Sequence, residues 1–255
     1  MRKKIAVLIV ILILSLCWFN HYNSDLKRII ASLEKNGEIG DGQLKYRAYL
    51  FGVLPVAEAI FEVKNLEMLQ GREVEHLRVR AKSTKLFSKF FDSEAIFDSY
   101  VDLESYNPVI FRQEISIPNR QVNKKEVMFD QVNNTMIILG EEDRRKIMPD
   151  TQDPLSLTYR LRKMDLNQVN EMQMYLNTNQ KNYLFSGKVT KKNISFGNRT
   201  YDLVILKAEV KRADKDPRHK SEVITFYLSS KDNIPILTRV FSQGMLIKLK
   251  LIEIN

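Results

Sequence analysis

Along most of this chain apolar and polar residues exchange places at every second position, and that period limits the fold more than any other feature. Leu77, Val79 and Ala81 alternate with Arg78, Arg80 and Lys82, and near the end Met245, Ile247, Leu249 and Leu251 alternate with Lys248 and Lys250. Leu44, Tyr46, Ala48 and Leu50 repeat the pattern, as do Ala57, Ala59, Phe61 and Val63 against Glu58, Glu62 and Lys64. Successive side chains of a strand point to opposite faces, so each segment has one apolar and one wet face. Antiparallel sheets covered on one side read this way. Further strand segments are 110–117, 127–129, 135–139, 201–210, 223–228 and 236–241, with turns at Asn133-Asn134 and Lys231-Asp232-Asn233. Roughly ten strands follow from such spacing. The predicted architecture is mainly β: one strongly curved antiparallel sheet or half-barrel with one or two covering helices, its concave face needing a helix, a second layer or a ligand.

One segment breaks the period. In Asp153-Pro154-Leu155-Ser156-Leu157-Thr158-Tyr159-Arg160-Leu161-Arg162, Asp153 is a natural N-cap and Pro154 a natural first-turn residue. Leu155, Thr158, Tyr159 and Arg162 then share one face, which predicts a helix lying on the apolar side of the sheet. Residues 165–182, rich in Asn and Gln, fit a loop and a frayed strand pair equally.

The N-terminus speaks to compartment. Arg2, Lys3 and Lys4 precede an uncharged apolar run over 5–19, and polar His21, Asn23 and Asp25 follow it. This is the layout of a signal sequence. No small-x-small cleavage site follows, and in Leu14-Ser15-Leu16-Cys17 a leucine stands where a lipobox wants a small residue. The expectation is an uncleaved signal anchor over 1–23, giving a single-pass inner-membrane protein with its C-terminal domain in the periplasm. Lipidation at Cys17 is the alternative. Residues 24–41 read as a helical stalk, capped by Ser24 or Asp25, with Leu26, Ile29, Ile30 and Leu33 on one face and Gly37 as its stop. Residues 42–255 read as one β-rich domain. Cys17 is the single cysteine, so that domain has no thiol to form a disulfide.

A net charge of +9, from 40 Lys+Arg against 31 Asp+Glu, raises nucleic acid as a partner. Three of the cations belong to targeting, the rest are spread over strand faces, and no aromatic–basic recognition motif or zinc-finger spacing is present. The expected partner is therefore membrane lipid, through the anchor, and not nucleic acid. His21, His76 and His219 have no second His or Cys at ligand spacing, so neither a metal nor another cofactor is expected. Ser156 lacks a glycine-flanked elbow. The run Glu141-Glu142-Asp143-Arg144-Arg145-Lys146 reads as a solvated hairpin tip, and Asp98 and Asp102, on either side of Tyr100, as a surface pair. No catalytic set is assigned, and the chain is read as a non-enzyme. Arg162 has two readings: a buried salt bridge pinning the helix, with Asp130 or Asp232 as partner, or a clamp for an acidic headgroup at the mouth of an apolar groove. Leu155, Tyr159 and Arg162 are the candidate ligand contacts.

These residues occur in a recognisable order. Leu44-Lys45-Tyr46, Phe51-Gly52-Val53-Leu54-Pro55 and Ala57 come first, then Phe111-Arg112, Phe129-Asp130 and Asp153-Pro154-Leu155-Ser156. Tyr227-Leu228-Ser229-Ser230-Lys231-Asp232, Ile234-Pro235 and Gly244 close the series. Over residues 42–252 the chain resembles DUF3108, a family of exported bacterial proteins. The resemblance implies an envelope location and a curved β fold similar in outline to lipoprotein-carrier half-barrels, and it implies no reaction. The functional expectation is a membrane-tethered envelope protein binding a lipid or other apolar ligand in the concave face, with a scaffold for other envelope proteins as the alternative.

Overall fold

A computed structural model describes residues 42–254 apart from 70, 197, 198 and 214–220. The anchor (1–23) and stalk (24–41) expected from the sequence lie outside the described residues. Among the described residues no helix is long and apolar enough to cross a membrane.

The first eight strands are β1 (Leu44–Leu50), β2 (Leu54–Leu69), β3 (Arg72–Ser83), β4 (Glu94–Asp102), β5 (Pro108–Ser116), β6 (Asn123–Asp130), β7 (Thr135–Ile138) and β8 (Arg145–Lys146). After the helix α1 (Pro154–Lys163) come β9 (Glu171–Thr178), β10 (Lys181–Phe196), β11 (Arg199–Arg212), β12 (Glu222–Ser229), β13 (Pro235–Ser242) and β14 (Met245–Ile254). All fourteen form one antiparallel sheet in the order β8-β7-β6-β5-β4-β3-β2-β1-β14-β13-β12-β11-β10-β9. The first and last strands therefore meet in the middle, and β8 and β9 are the two edges. α1 lies in the connection that runs from one edge to the other.

Register carries the period-two pattern across the sheet. Residues directly opposite each other share a face, and the chain of partners Leu44↔Phe61, Phe61↔Val79 and Val79↔Phe97 keeps one apolar row inward. In the second half Phe185↔Val210, Leu206↔Phe226 and Val204↔Leu228 do the same. The sheet is not closed into a barrel, yet its edges approach at one end. Gln152 bridges to Leu176 of β9 through backbone bonds of 2.8 and 2.7 Å. Asn182 Nδ2 donates to the Lys146 carbonyl at 3.0 Å, and Arg145 donates to the Gln180 side chain.

Three sequence expectations change. Fourteen strands form rather than roughly ten. Of the two readings of 165–182 the strand pair forms, but it is not frayed: a 3-10 turn at Leu166–Gln168 leads into β9, which pairs with β10 and buries Met172, Met174 and Leu176 at alternate positions. Asn179 and Gln180, both at positive φ (49° and 61°), make the two-residue turn whose twist matches a hairpin. The third change concerns the helix, which is buried on two sides rather than one. Leu155 and Tyr159 pack with Leu44, Phe61, Leu77 and Val101, whereas Leu157 and Leu161 pack with Met174, Phe185, Leu206 and Leu228. α1 is a wedge between the two halves of the sheet.

Both ends of that wedge are fixed. At its N-terminus Asp153 is buried, and one carboxylate oxygen accepts from the Leu155 and Ser156 amides at 2.7 and 3.0 Å. The other accepts from Ser99 Oγ of β4 at 2.5 Å, and Ser156 Oγ accepts from the Asp153 amide at 2.8 Å to complete the capping box. At the C-terminus Asn233, in the β12–β13 turn at φ 48°, donates from Nδ2 to the Met164 carbonyl at 2.6 Å. Gly187 allows close packing beneath the helix, since a Cβ there would lie 2.5 Å from Leu206 Cδ1.

Two outcomes follow. Gly187→Val should lower stability by about 1–3 kcal/mol, the usual cost of overpacking a full core, seen as a lower urea midpoint at unchanged slope. Burial lifts the Asp153 carboxyl to about 6, with the donors from Ser99, Ser156 and Leu155 opposing the rise. A carboxyl raised from an unfolded value of about 3.9 contributes stability fully below that value and loses it as pH climbs through the folded pKa. Between pH 4 and 7 the wild type should therefore lose on the order of 2–3 kcal/mol more than Asp153→Asn, read from paired urea titrations. Parallel pH profiles for the two proteins would contradict the assignment.

Candidate functional site

The concave face is incompletely filled by its own side chains. Along it the inward row of β1 to β4 carries Ala48, Ala57, Ala59, Ala81 and Ala95, each only partly buried. Small residues on an inward face leave room that larger ones would close. Beside the helix, a partly open cavity of about 190 Å³ is lined by Leu44, Tyr46, Ala59, Phe61, Val79 and Leu249 from the first half and from β14. Phe226, Pro235 and Thr238 wall it from the other side, and Thr158 and Arg162 of α1 roof it. A second cavity, of about 470 Å³, lies towards β4–β7, between Phe97, Phe111, Val127 and Phe129, the start of α1 at Pro154 and Leu155, and the Asn179-Gln180 turn. Val79 lines both. The larger volume falls within the roughly 300–1,000 Å³ common for small-molecule sites, and its mainly apolar lining with a few polar groups is typical of them.

Arg162 sets the electrostatics of the smaller cavity. Its guanidinium lies over the Phe61 ring, 5.9 Å from the centroid. Nε and Nη1 are buried and have no hydrogen-bond partner among the described residues. The salt bridge to Asp130 or Asp232 does not form: Asp130 pairs with Arg144 at 3.5 Å and binds Asn133, and it is the neighbour of Asp232, Asn233, that reaches the helix. Burial holds the Tyr46 phenol above its ordinary range, while the charge of Arg162 pulls it the other way.

The three sequence-predicted contacts separate. Leu155 lines the larger cavity and Arg162 the smaller, but Tyr159 lines neither. Its ring is buried edge-on to Tyr106, with centroids 6.0 Å apart, and its hydroxyl donates to the Glu75 carboxylate, so the residue is committed to holding α1. Arg160 turns away from Arg162 towards Asn107 Oδ1 at 3.4 Å. Sequence reasoning placed Ala48, Ala57, Ala59 and Ala81 on apolar strand faces and Thr158 on the sheet side of the helix without assigning them to a cavity, and it missed Ala95, Thr238 and Lys125. Alanine at alternate inward positions was the available signal for a vacant concave face. On the opposite, convex face, Asp98 accepts from Arg78 Nε and contacts His76 Nε2, both at 2.6 Å, and the two bases hold its carboxyl below the usual range against burial. His76 stacks on Tyr100 at 4.4 Å and also touches Glu67, a ladder of paired charges with no hydroxyl or thiol nucleophile bonded to the imidazole. Asp102 is bound separately in the turn by Ser105. The tip at 141–144 is exposed, as expected, and Arg145 enters β8.

Large apolar side chains are exposed at the loops nearest the alanine row. Phe51 and Val53 stand in the β1–β2 turn, and Leu86, Phe90 and Phe91 in the β3–β4 loop, where Phe90 is 84% exposed. Thr84 ties this loop to β2 through the Val56 and Pro55 carbonyls.

Comparison with solved structures gives a β-barrel-like protein of the domain of unknown function DUF1849 from Brucella abortus, with a TM-score of 0.57 and 11% identity over 84% of this chain and 96% of that one. At that identity the likeness speaks to the fold alone. A candidate lipoprotein from Parabacteroides distasonis aligns over 85% of this chain and 96% of its own at 9% identity, with a TM-score of 0.34 too low to carry an argument. A search of curated proteins finds no match. The family described as protein of unknown function (DUF3108) matches residues 45–244. With the match spanning β1 to the β13–β14 turn, including α1 and both of the segments that fix its ends, the chain belongs to the DUF3108 family.

Proposed function

We propose that this protein is a non-catalytic binding protein of the bacterial envelope, tethered to the inner membrane by its N-terminal segment, which holds a lipid or other apolar chain in the concave face of its sheet. The observation that carries this reading is the pair of mainly apolar cavities sharing Val79, beside a helix fixed at both ends, with Ala59 of the inward alanines lining the smaller one. Charged N-terminal residues followed by the apolar run 5–19 support the tether. The exposed Phe51, Phe90 and Phe91 favour a second reading, an assembly module that meets another envelope protein through this apolar rim.

The full chain, expressed with its own N-terminus and purified from bacterial membranes, should carry an apolar ligand detectable by native mass spectrometry and solvent extraction. Val79→Phe, which intrudes on both cavities, should reduce ligand occupancy by about tenfold, the equivalent of one to two kcal/mol of overpacking, with circular dichroism unchanged. A wild-type protein that is ligand-free in every preparation, yet captured by an envelope partner only while Phe90 and Phe91 are intact, would replace the binding reading with the assembly one.

A further inference from the structure

Of the residues lining the smaller cavity, Arg162 alone carries a charge; the other polar groups there are the hydroxyls of Tyr46, Thr158 and Thr238. Thr158 spends its proton on the Pro154 carbonyl at 3.0 Å. A guanidinium is ionised at any physiological pH and presents five N–H donors in a fixed fork. Leaving such donors buried and unanswered is costly, because the group has given up water without gaining acceptors. Glu75, the buried Asp153 and the partner expected from the sequence, Asp130, are engaged elsewhere. Glu75 takes the Tyr159 hydroxyl, Asp153 takes Ser99 and the helix amides, and Asp130 takes Arg144 and Asn133. The aliphatic stem rises from a helix that is fixed at both ends, and the fork lies over Phe61.

The adjoining cavity has the same character. Lys125 is the one charged residue lining it, and burial together with the charge of Arg145 lowers the pKa of its ammonium. Each cavity thus has a single cation and no acid in its lining, and the larger one adds the uncharged polar groups of Gln113, Asn177, Thr178, Asn179 and Gln180.

Resting on the binding reading above, we propose that the ligand is an anionic amphiphile whose carboxylate or phosphate head pairs with the Arg162 guanidinium while its apolar chain lies along Ala59, Phe61, Val79 and Leu249. The fork matches the two oxygens of either head bidentately. A neutral lipid of the same chain length fills the same apolar space but leaves Nε and Nη1 unanswered, so selection rests on charge rather than on chain.

The test uses the full chain in zwitterionic nanodiscs with two matched photoreactive probes, a fourteen-carbon fatty acid and the corresponding fatty alcohol, each with a mid-chain diazirine. Labelled peptides are mapped by mass spectrometry. The acid should label residues of β1, β2 or β14 about tenfold more than the alcohol, the worth of one charge-assisted contact. Arg162→Met, which keeps the stem over Phe61, should bring acid labelling down to the alcohol level, and Arg162→Lys should retain part of the preference. Competition by unlabelled fatty acid or by alkyl phosphate then tells a free acid from a phospholipid-type head. Equal labelling by acid and alcohol in the wild type, or a preference that survives Arg162→Met, would overturn the headgroup assignment and leave the groove reading standing. Absence of labelling by both probes would overturn the two together. The wild-type comparison decides this even where a variant folds poorly.

Discussion

Asp153 sits where the chain leaves the edge of the sheet and enters α1, and its buried carboxyl collects two helix amides and the Ser99 hydroxyl of a strand across the fold. That arrangement does two things at once. It satisfies the orphan donors of the first helical turn, and it ties the helix to the middle of the N-terminal half of the sheet. With Asn233 holding the other end, a ten-residue helix becomes a fixed strut. The sheet has its first and last strands at the centre, so the free edges belong to the middle of the chain, and the connection bearing α1 is what brings those edges round towards each other. Open edges invite pairing with other chains. Here one edge strand is only two residues long, and the other is bridged by Gln152.

A strut buried on both sides also explains why room remains beside it. Leu157 and Leu161 pack into a cluster in the C-terminal half where Phe185, Leu206 and Leu228 are fully buried. On the other side Leu155 and Tyr159 fill only part of a face on which a row of alanines lies beside Leu44, Phe61, Val79 and Phe97. The larger aromatics Phe97 and Phe111 stand 6.3 Å apart as the wall of a cavity rather than as the heart of a core. The interior is therefore a packed core around β9–β11, and a lined chamber where α1 faces the first strands and β12–β14. Arg162, on the helix between them, places a cation in the apolar part.

Much of the fold could be read from the sequence because one-sided strands repeat every two residues. The inward rows of β1, β2, β3 and β14 are the residues that the alternation selects. Other elements were hidden for physical reasons. β9 spaces Met172, Met174 and Leu176 among Gln and Asn, residues with weak strand preference, and its turn uses Asn-Gln rather than a glycine. β11 and β12 were legible as strands over 201–210 and 223–228, but they bury both faces at Leu203-Val204 and Tyr227-Leu228, so their sidedness was not. The helix was legible from its cap, but its second buried side was not, because only tertiary structure decides what meets Leu157 and Leu161. The Asp-Pro-Leu-Ser and Leu-Ser-x-x-Asp-x-x-Pro segments, far apart in sequence, prove to bind the two ends of the same helix. Arg162 was visible as a residue with two readings. Ruling out the salt bridge to Asp130 or Asp232 required their positions, which no local pattern encodes.

The central claim, that a fixed helix keeps a chamber open for an acidic amphiphile, is tested most directly by a crystal structure of the protein purified from a bacterial envelope fraction without delipidation. Elongated density is expected between α1 and the β1–β2–β14 face, ending in an acidic group within hydrogen-bond distance of Arg162 Nε and Nη1. A chamber closed by inward rotation of Phe61, Phe226 and Arg162, with no density beyond the protein, would contradict it.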